Sequence, residues 1–398
     1  MSKIFNPHDK ILCHINTIKD YFEKKNPYPI TIEIDPSNAC NHSCSFCISG
    51  HIHLSKYKNT EFFNRTILNK DIFKKLTEDL ITTDIKAINW TGGGEPTLNP
   101  FLGEAINYIK KNSKIEMGMF SNGSLLEKFN LFDTITDCLE WIRISIDAGS
   151  SITFDNIRKT NKNNNFAVVM NNIKKLVETK KKKKSKIVIG VGFVITKNNY
   201  LEIEDFANLF KNIDIDYCQY KPEIIQIERN NTKSQSGSMQ VSADFWVNKV
   251  INLLDKAKII LKNKFECNSY KLEDLIVDTK NHGRNYGACI GSQFQPCIGA
   301  DGNVYVCTNH RGHARYSYGN ISKSSFKEIW SDIRNKEKIM NIIEKEEKFS
   351  KCTHLCKPHE SNKILWTINN NINNKNYFKD LKEKTSFLKK KLKHINFI

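Results

Sequence analysis

The sequence lacks any apolar run of the roughly 20 residues that a membrane-spanning helix needs. It also lacks the positively charged start and apolar core of a secretory signal, which argues against disulfides among its 12 cysteines. We therefore expect a cytoplasmic protein whose cysteines bind a metal or a cluster in a reducing compartment. With 398 residues, the chain is long enough for a main domain and a smaller appendage.

The formal net charge of +18 raises the question of a nucleic-acid partner, because Lys and Arg neutralise phosphates. The positive charge is mostly lysine, however, and it belongs to a biased composition that is spread over the whole sequence. The five-lysine run at 180–184 lies between a helical pattern and the strand-like IVIGVGFVI, which favours a solvated loop. We therefore do not expect a nucleic-acid partner.

Short apolar segments alternate with amphipathic helical patterns from ITIEI onward, ending with IDYCQYK. Six strands with intervening helices at this spacing predict βα units in a parallel sheet. We expect the sheet to curl into a partial (β/α)6 barrel, followed by a small C-terminal domain of a β-hairpin and a helix. The predicted divisions are an N-terminal helical extension, the barrel, a linker with connecting helices, the small domain and a basic C-terminal helix, at 1–28, 29–230, 231–286, 287–360 and 361–398.

Three cysteines are packed into CNHSCSFC at 40–47, with no fourth cysteine close by. The segment follows the first predicted strand, and barrel-like α/β folds carry their active sites at the carboxyl ends of the strands. Three close thiolates suggest a site with one position left open for chemistry. The alternative is a zinc site whose fourth ligand is His42, His51 or His53.

The spacing CxxxCxxC, with the aromatic Phe46 before its last cysteine, resembles the signature of the radical S-adenosylmethionine (SAM) superfamily. The resemblance implies that a 4Fe-4S cluster is held by Cys40, Cys44 and Cys47. SAM would chelate the fourth iron, and its reductive cleavage would give a 5′-deoxyadenosyl radical that takes a hydrogen atom from the substrate. A flavodoxin or ferredoxin would be the electron donor.

A glycine-rich segment, TGGGEPTLNP at 91–100, follows the second predicted strand. Glycines let a backbone approach a ligand closely, and a glutamate carboxylate can accept a hydrogen bond from an ammonium group. The segment resembles the superfamily's GGEP element, which binds the methionine amino group of SAM. The matching residues are Gly93, Gly94, Glu95 and Pro96.

Two later segments resemble those from which the superfamily contacts SAM and substrate. They are FSNGS, which contains Asn122, and SIDAGS, in which Ser145 and Asp147 are expected to face the ribose hydroxyls. Arg158 lies where related enzymes often place an arginine that reaches the SAM carboxylate. An exposed arginine near a helix end is the alternative interpretation of Arg158.

Candidates for a catalytic group are Arg158 and two residues of YKPE at the end of the sixth predicted strand, Lys221 and Glu223. The sequence does not identify which of them acts as the base. In the fifth strand, Gly190 and Gly192 are expected to make room for adenine or simply to allow close packing.

A second group of cysteines lies late in the chain, around an ADGN hairpin signal. The arrangement resembles the shortened SPASM module called a twitch domain, which carries one auxiliary 4Fe-4S cluster. The matching ligands are Cys289, Cys307, Cys352 and Cys356. Cys297 does not fit the pattern, although it could replace one of the last pair, and a zinc site is the alternative.

The resemblance implies an enzyme but not its substrate. The single auxiliary cluster favours oxidation of a small molecule, similar to the twitch dehydrogenases that act on sugar-like or cyclitol-like compounds. A maturase that modifies a peptide or protein is the alternative, and a nucleotide- or tRNA-modifying enzyme is a third possibility. The neighbouring genes would separate these classes.

Overall fold

The computed structural model describes residues 7–160, 165–223, 246–262, 284–352 and 356–398. Most of the linker predicted at 231–286 lies outside these ranges. Within them, no helix is both long enough and apolar enough to cross a bilayer.

One open sheet of nine strands forms the centre of the described structure, in the order β6-β5-β4-β3-β2-β1-β7-β8-β9. Strands β1 to β6 are all parallel to their neighbours, as the βα pattern predicted. The strands are β1 Thr31–Ile34, β2 Ala87–Trp90, β3 Glu116–Ser121, β4 Trp141–Ser145, β5 Val188–Ile195, β6 Tyr217–Pro222, β7 Cys297–Ile298, β8 Asn303–Tyr305 and β9 Ser317–Asn320.

Helices connect the parallel strands and cover one face of the sheet. The α-helices are α1 Ile15–Phe22, α2 Gly50–His53, α3 Lys70–Leu80, α4 Leu102–Asn112, α5 Phe132–Cys138, α6 Ser151–Arg158, α7 Asn165–Lys183, α8 Ile203–Phe210, α9 Ile251–Leu261, α10 Phe326–Ser331, α11 Ile333–Asn341, α12 His359–Asn370 and α13 Lys375–Lys391. Helix α3 shows why they form: the Asn69 side chain caps its first turn, and Phe73, Leu76 and Leu80 share its buried side.

Alternation along the strands gives the sheet two different faces. Residues such as Ile88, Ile142 and Val191 enter the main apolar core beneath the helices. The opposite face, which we call the inner face, takes the alternate positions of the strands. Its polar residues include Glu33, Asn89, Arg143, Gln219 and Lys221.

The small C-terminal domain continues the main sheet instead of forming a separate hairpin. Strand β7 pairs in parallel with β1, with Glu33 opposite Cys297, and β8 and β9 follow in antiparallel pairing. Strand β1 therefore lies between β2 and β7, with paired neighbours on both sides.

The lysine run at 180–184 was expected to be a loop, and this expectation is wrong for most of it. Helix α7 continues to Lys183, and the chain turns at Lys184 with a positive φ of 53°. Lysine is a good helix former, and the run is anchored by ion pairs from Lys180 to Asp216 and from Lys183 to Asp133.

The C-terminal region forms two helices, α12 and α13, where one basic helix was expected. Helix α13 packs on the N-terminal segment, and the Thr385 hydroxyl donates to the Leu12 carbonyl at 2.8 Å. The last residues then reach the start of the sheet: the Ile398 N–H donates to the Thr31 hydroxyl, and the Phe397 ring lies 5.5 Å from that of Trp141. The chain end thus covers the amino ends of β1 and β4.

Candidate active site

The loop that carries the first three cysteines follows β1 and is held by helix α6. The Ser43 N–H donates to the Arg158 carbonyl at 2.9 Å, and the Ser45 N–H donates to the Ile157 carbonyl at 3.0 Å. Within the loop, the His42 N–H points at Cys40 Sγ, 3.4 Å away. These backbone contacts fix the loop at the carboxyl edge of the sheet, where the sequence placed the site.

The structure brings the three thiols of this loop together. Burial raises the pKa of Cys40 well above its ordinary value, and the neighbouring groups of Cys44, Glu95 and Cys47 add to the rise. Burial, followed by Cys44, raises the pKa of Cys47 to about 12. Three sulfur donors in one loop, with a backbone N–H aimed at one of them, can serve as ligands of an iron-sulfur cluster, whose binding would remove the protons that the raised pKa values keep on the free thiols.

Histidines surround this loop, but each has a defined partner. His42 is buried and contacts Arg158 and Asn165, and its pKa is lowered to about 3 by burial and then by Arg158. His53 Nε2 lies 3.4 Å from Cys47 Sγ, and His51 Nε2 lies 3.1 Å from the Arg311 carbonyl oxygen. In the ranges that the structure covers, no three His, Cys, Asp or Glu side chains are grouped so that they could hold one metal ion.

The GGGEP turn packs directly on the chain that leads into the cysteine loop. The Gly94 N–H donates to the Ser37 carbonyl at 3.0 Å, and the Glu95 N–H donates to the Ala39 carbonyl at 2.9 Å. A Cβ at Gly94 would lie 1.9 Å from the Ala39 oxygen, so only glycine allows this approach. The turn therefore positions the residue next to Cys40.

The Glu95 carboxylate is buried and already accepts four hydrogen bonds. Oε1 accepts from the Thr97 hydroxyl and N–H and from the Ser121 hydroxyl, and Oε2 accepts from the Asn122 N–H at 2.7 Å. Burial raises its pKa, and these hydrogen bonds oppose the rise. Glu95 thus ties the GGEP turn to the end of β3, and Oε2 has fewer protein partners than Oε1 among the described residues.

Asn122 and Phe46 complete the surroundings of the cysteine loop. The Asn122 amide donates to Asn41 Oδ1 at 2.8 Å, which joins the FSNGS segment to CNHSCSFC. Phe46 is partly buried and packs against the main core.

Asp147 and Arg158 form a buried ion pair beneath the loop. Arg158 Nη2 contacts Asp147 Oδ2, and Nε donates to the Ile146 carbonyl at 3.2 Å. Asp147 Oδ1 accepts from the Val194 N–H at 2.7 Å. Both carboxylate oxygens therefore have protein partners, and Arg158 is not the exposed arginine of the alternative interpretation, because only 3% of it is accessible.

The remaining predicted residues lie at the carboxyl ends of β4 and β6. Ser145 ends β4, and Lys221 is partly buried near the end of β6. Glu223 follows β6 directly, and burial raises its pKa to about 7. A carboxylate with this pKa is suited to accept a proton near neutral pH.

The four late cysteines form a second group, in which Cys289, Cys307 and Cys352 are buried and Cys356 is partly buried. Burial raises the pKa of Cys356 well above its ordinary value, and Cys289, Cys307 and Cys352 raise it further, so the four thiols are close. The Asn362 amide points at Cys289 Sγ from 3.3 Å. Cys297 lies apart from this group, with its Sγ 3.6 Å from Arg311 Nη2. Burial raises the pKa of Cys297 well above its ordinary value, Arg311 opposes the rise, and Asp35 and Glu33 add to it.

No motif in the sequence points to Arg311, which joins the two cysteine-bearing regions. It is 4% exposed, and its Nε contacts Asp35 Oδ2 at 2.5 Å. Its Nη1 donates to the Ser49 hydroxyl at 2.9 Å. Asp35 follows β1 and Ser49 follows Cys47, so an arginine of the C-terminal domain holds both ends of the core cysteine loop.

Two family models match the chain. Residues 34–210 match the radical SAM superfamily, and residues 289–357 match an iron-sulfur cluster-binding domain, SPASM. Among curated proteins, the tungsten-containing aldehyde ferredoxin oxidoreductase cofactor-modifying protein of Pyrococcus furiosus is 23% identical over 76% of this chain and 80% of its own length. A probable GTP 3′,8-cyclase of Sulfolobus acidocaldarius is 24% identical over 74% of this chain and 86% of its own length.

Solved structures show the same fold. Streptococcus suis SuiB bound to SAM has a TM-score of 0.59 at 14% identity, covering 85% of this chain and 74% of SuiB. The enzyme anSMEcpe with bound SAM has a TM-score of 0.56 at 18% identity, covering 89% of this chain and 99% of anSMEcpe. A 4Fe-4S cluster and SAM are the cofactors of the core, and a SPASM domain binds auxiliary iron-sulfur clusters. The chain therefore contains a radical SAM domain followed by a C-terminal SPASM-type iron-sulfur domain.

Proposed function

We propose that the protein is a radical SAM oxidoreductase that dehydrogenates a small molecule, with the auxiliary cluster as electron acceptor. The observation that carries the proposal is the direct link between the two cysteine-bearing regions. Arg311, which follows Cys307 in sequence, donates to Ser49, which follows Cys47. An enzyme that removes both a hydrogen atom and an electron needs the two sites in one fixed arrangement.

The assignment of ligands is part of the proposal. The core cluster is held by Cys40, Cys44 and Cys47, and the auxiliary cluster by Cys289, Cys307, Cys352 and Cys356. When bound, the core cluster and SAM supply the 5′-deoxyadenosyl radical, and the auxiliary cluster supplies a place for the electron that the substrate loses.

The chain's own residues bind and orient SAM and substrate around these groups. Residues 93–96 and Asn122 lie next to the cysteine loop and Ser145 ends β4 at the same edge of the sheet, so we assign all of them to SAM. The Asp147–Arg158 pair supports the loop from below.

Glu223 is the proposed base. In a dehydrogenation, the carbon-bound hydrogen leaves as an atom, the hydroxyl proton must be accepted by a base, and one electron remains to be removed. Glu223 is half-buried at the carboxyl end of β6, and its pKa of about 7 suits proton acceptance. Lys221 precedes it on the inner face and is assigned to substrate contact.

Modification of a peptide is the alternative. Its support is the likeness to SuiB, one structure of which holds the precursor peptide SuiA. The names of the two curated relatives concern a cofactor and a nucleotide, and these relatives favour a small molecule.

Anaerobic reconstitution with SAM and a reductant tests the proposal. Wild-type protein should form 5′-deoxyadenosine, and a deuterium label on the oxidised carbon of the true substrate should appear in it. Replacing Cys40, Cys44 and Cys47 together with Ala should abolish this product, whereas Cys138→Ala, a buried control in α5, should retain it. Undiminished SAM cleavage in the triple variant would overturn the core assignment, and label transfer only from peptides would overturn the small-molecule class.

A further inference from the structure

Arg143 is a cation on the inner face of β4, and the partners that hold it are neutral. Its Nη1 donates to the side-chain oxygen of Gln219, and its guanidinium lies 4.4 Å from the centre of the Phe120 ring. The Tyr217 side chain is also close enough to raise the pKa of Arg143 against the lowering by burial. These contacts fix the guanidinium without neutralising its charge.

No carboxylate neutralises Arg143 within the ranges that the structure covers, because none approaches it to the 4.0 Å of an ion pair. The carboxylates whose charge it feels include Asp147 and Glu33. Asp147 is paired with Arg158, and Glu33 is paired with Lys357. Arg143 is partly buried, and this burial lowers its pKa, which reflects the cost of holding the charge with reduced access to water. Such a cost is usually offset by a nearby anion.

Two glycines of β5 show where that anion has room. A Cβ at Gly190 would lie 2.1 Å from the Tyr217 ring, so Gly190 is needed for packing. The three atoms nearest to a Cβ at Gly192 all belong to the Arg143 side chain, at 3.7 to 3.9 Å, which is ordinary contact. In the strand register, Gly192 lies between Ser145 of β4 and Gln219 of β6.

The space beside Gly192 faces the carboxyl edge of the sheet. Below it the inner face is filled, because the Trp141 ring contacts Phe120 at 4.8 Å and the chain-terminal Phe397 at 5.5 Å. Ser145 lies one inner-face position above Arg143, toward the cysteine loop. An anion on Arg143 would therefore lie deeper in the sheet than the position assigned to SAM.

We propose that Arg143 determines specificity by binding an anionic group of the substrate, a carboxylate or a phosphate, in the space beside Gly192. The inference rests on the proposed function for the identity of the reaction, but anion binding is measured without turnover. The substrate class thus narrows to small molecules that carry a carboxylate or a phosphate.

Isothermal titration of the reconstituted enzyme with inorganic phosphate and with succinate tests this proposal. Wild type should bind at least one of them with a Kd of about 1 mM or tighter in the presence of saturating SAM. Arg143→Gln should weaken that binding about tenfold or more, because a charged hydrogen bond is lost. Gly192→Ala should weaken it by filling the space, and the exposed Lys182→Gln should not change it. Tighter binding of phosphate would indicate a substrate that carries a phosphate, and tighter binding of succinate would indicate one that carries a carboxylate.

Gly192→Ala keeps the test decisive if Arg143→Gln does not fold, because its added methyl makes only ordinary contacts. Equal binding in wild type, Arg143→Gln and Gly192→Ala would overturn the proposal, as would the absence of binding of both anions. Displacement of the anion by SAM would assign Arg143 to SAM and also overturn it. Failure of wild type to cleave SAM would refute the proposed function and leave the binding result intact.

Discussion

Replacing Arg311 with Met should lower the free energy of unfolding of the cluster-free protein. The loss should be larger than when an exposed arginine is replaced with Met. The change removes the cation that contacts Asp35 and the donor to Ser49. Glu33 keeps a cation, because Lys357 also contacts it. Asp35, which is fully buried, loses the only cation that forms an ion pair with it among the described residues.

Breaking one side of a buried ion pair typically costs about 3 to 5 kcal/mol, because the remaining charge has no partner. Arg315→Met is the matched control. Arg315 and its partner Glu346 are both more than half exposed. Arg315 also lies 3.8 Å from Glu347, which keeps the Tyr316 hydroxyl as a donor, so replacing Arg315 should cost about 1 kcal/mol or less. Asp35→Asn in the Arg311→Met background should recover most of the loss, because no charge is then left in the site.

The loss should also depend on pH. Burial raises the pKa of Asp35 to about 7, and Arg311 opposes this rise, so the pKa must increase further in Arg311→Met. A carboxyl whose folded pKa exceeds its unfolded value keeps its proton in the folded state, and stability then falls as pH rises toward the folded pKa. In Arg311→Met the folded pKa lies above 7, so the free energy of unfolding should continue to fall above pH 7. The difference in this free energy between wild type and Arg311→Met should therefore be larger near about pH 8.5 than near about pH 6.

Equilibrium urea unfolding, followed by tryptophan fluorescence, gives the free energy of unfolding for the four proteins. The reasoning is refuted if Arg311→Met and Arg315→Met lose the same stability. It is also refuted if Asp35→Asn gives no recovery in the double variant. If the loss of unfolding free energy in Arg311→Met is the same at every pH, the charge of Asp35 does not contribute to it.

Three further predictions concern the site. Glu95→Gln should lower both stability and SAM affinity by about 1 to 3 kcal/mol, because an amide NH2 would oppose one of the four donors; unchanged unfolding and SAM titrations would contradict this. Replacing Cys289 and Cys307 with Ala should halve the iron content while SAM cleavage persists, and full iron content would remove them as ligands. If Glu223 is the base, product formation should fall as pH drops through about 7, and Glu223→Gln should lose that pH dependence.

Local patterns were sufficient to predict the six parallel strands and the first cysteine loop. Each strand of the core is a short apolar segment next to a helical pattern, and the CNHSCSFC spacing lies within one loop. The pairing of β1 with β7 could not be predicted, because it joins Glu33 to Cys297 across most of the chain and depends on tertiary packing. Arg311 belongs to no motif, and its role is visible only when Asp35 and Ser49 are seen beside it.

The loop prediction for the lysine run at 180–184 was wrong for a different reason. Its charge indicated exposure correctly, but exposure does not distinguish a loop from the solvent side of a helix. Acidic residues far away in sequence, such as Asp133 and Asp216, offset the repulsion between the lysines. The sequence alone does not show that these carboxylates lie within reach of α7.

The position of β1 explains why the two domains should act as one unit. Its backbone is bonded on the far side to the C-terminal domain: the Glu33 N–H donates to the Pro296 carbonyl, and the Asp35 N–H donates to the Ile298 carbonyl at 2.8 Å. Without that domain, β1 would become an edge strand, and Asp35 would lose the ion pair with Arg311. The loop that carries Cys40 begins directly after this strand. The geometry of the core cysteines therefore depends on residues about 260 positions later in the chain, and loss of the Arg311 contacts or of the β1–β7 pairing should disturb the core site as well as the C-terminal domain.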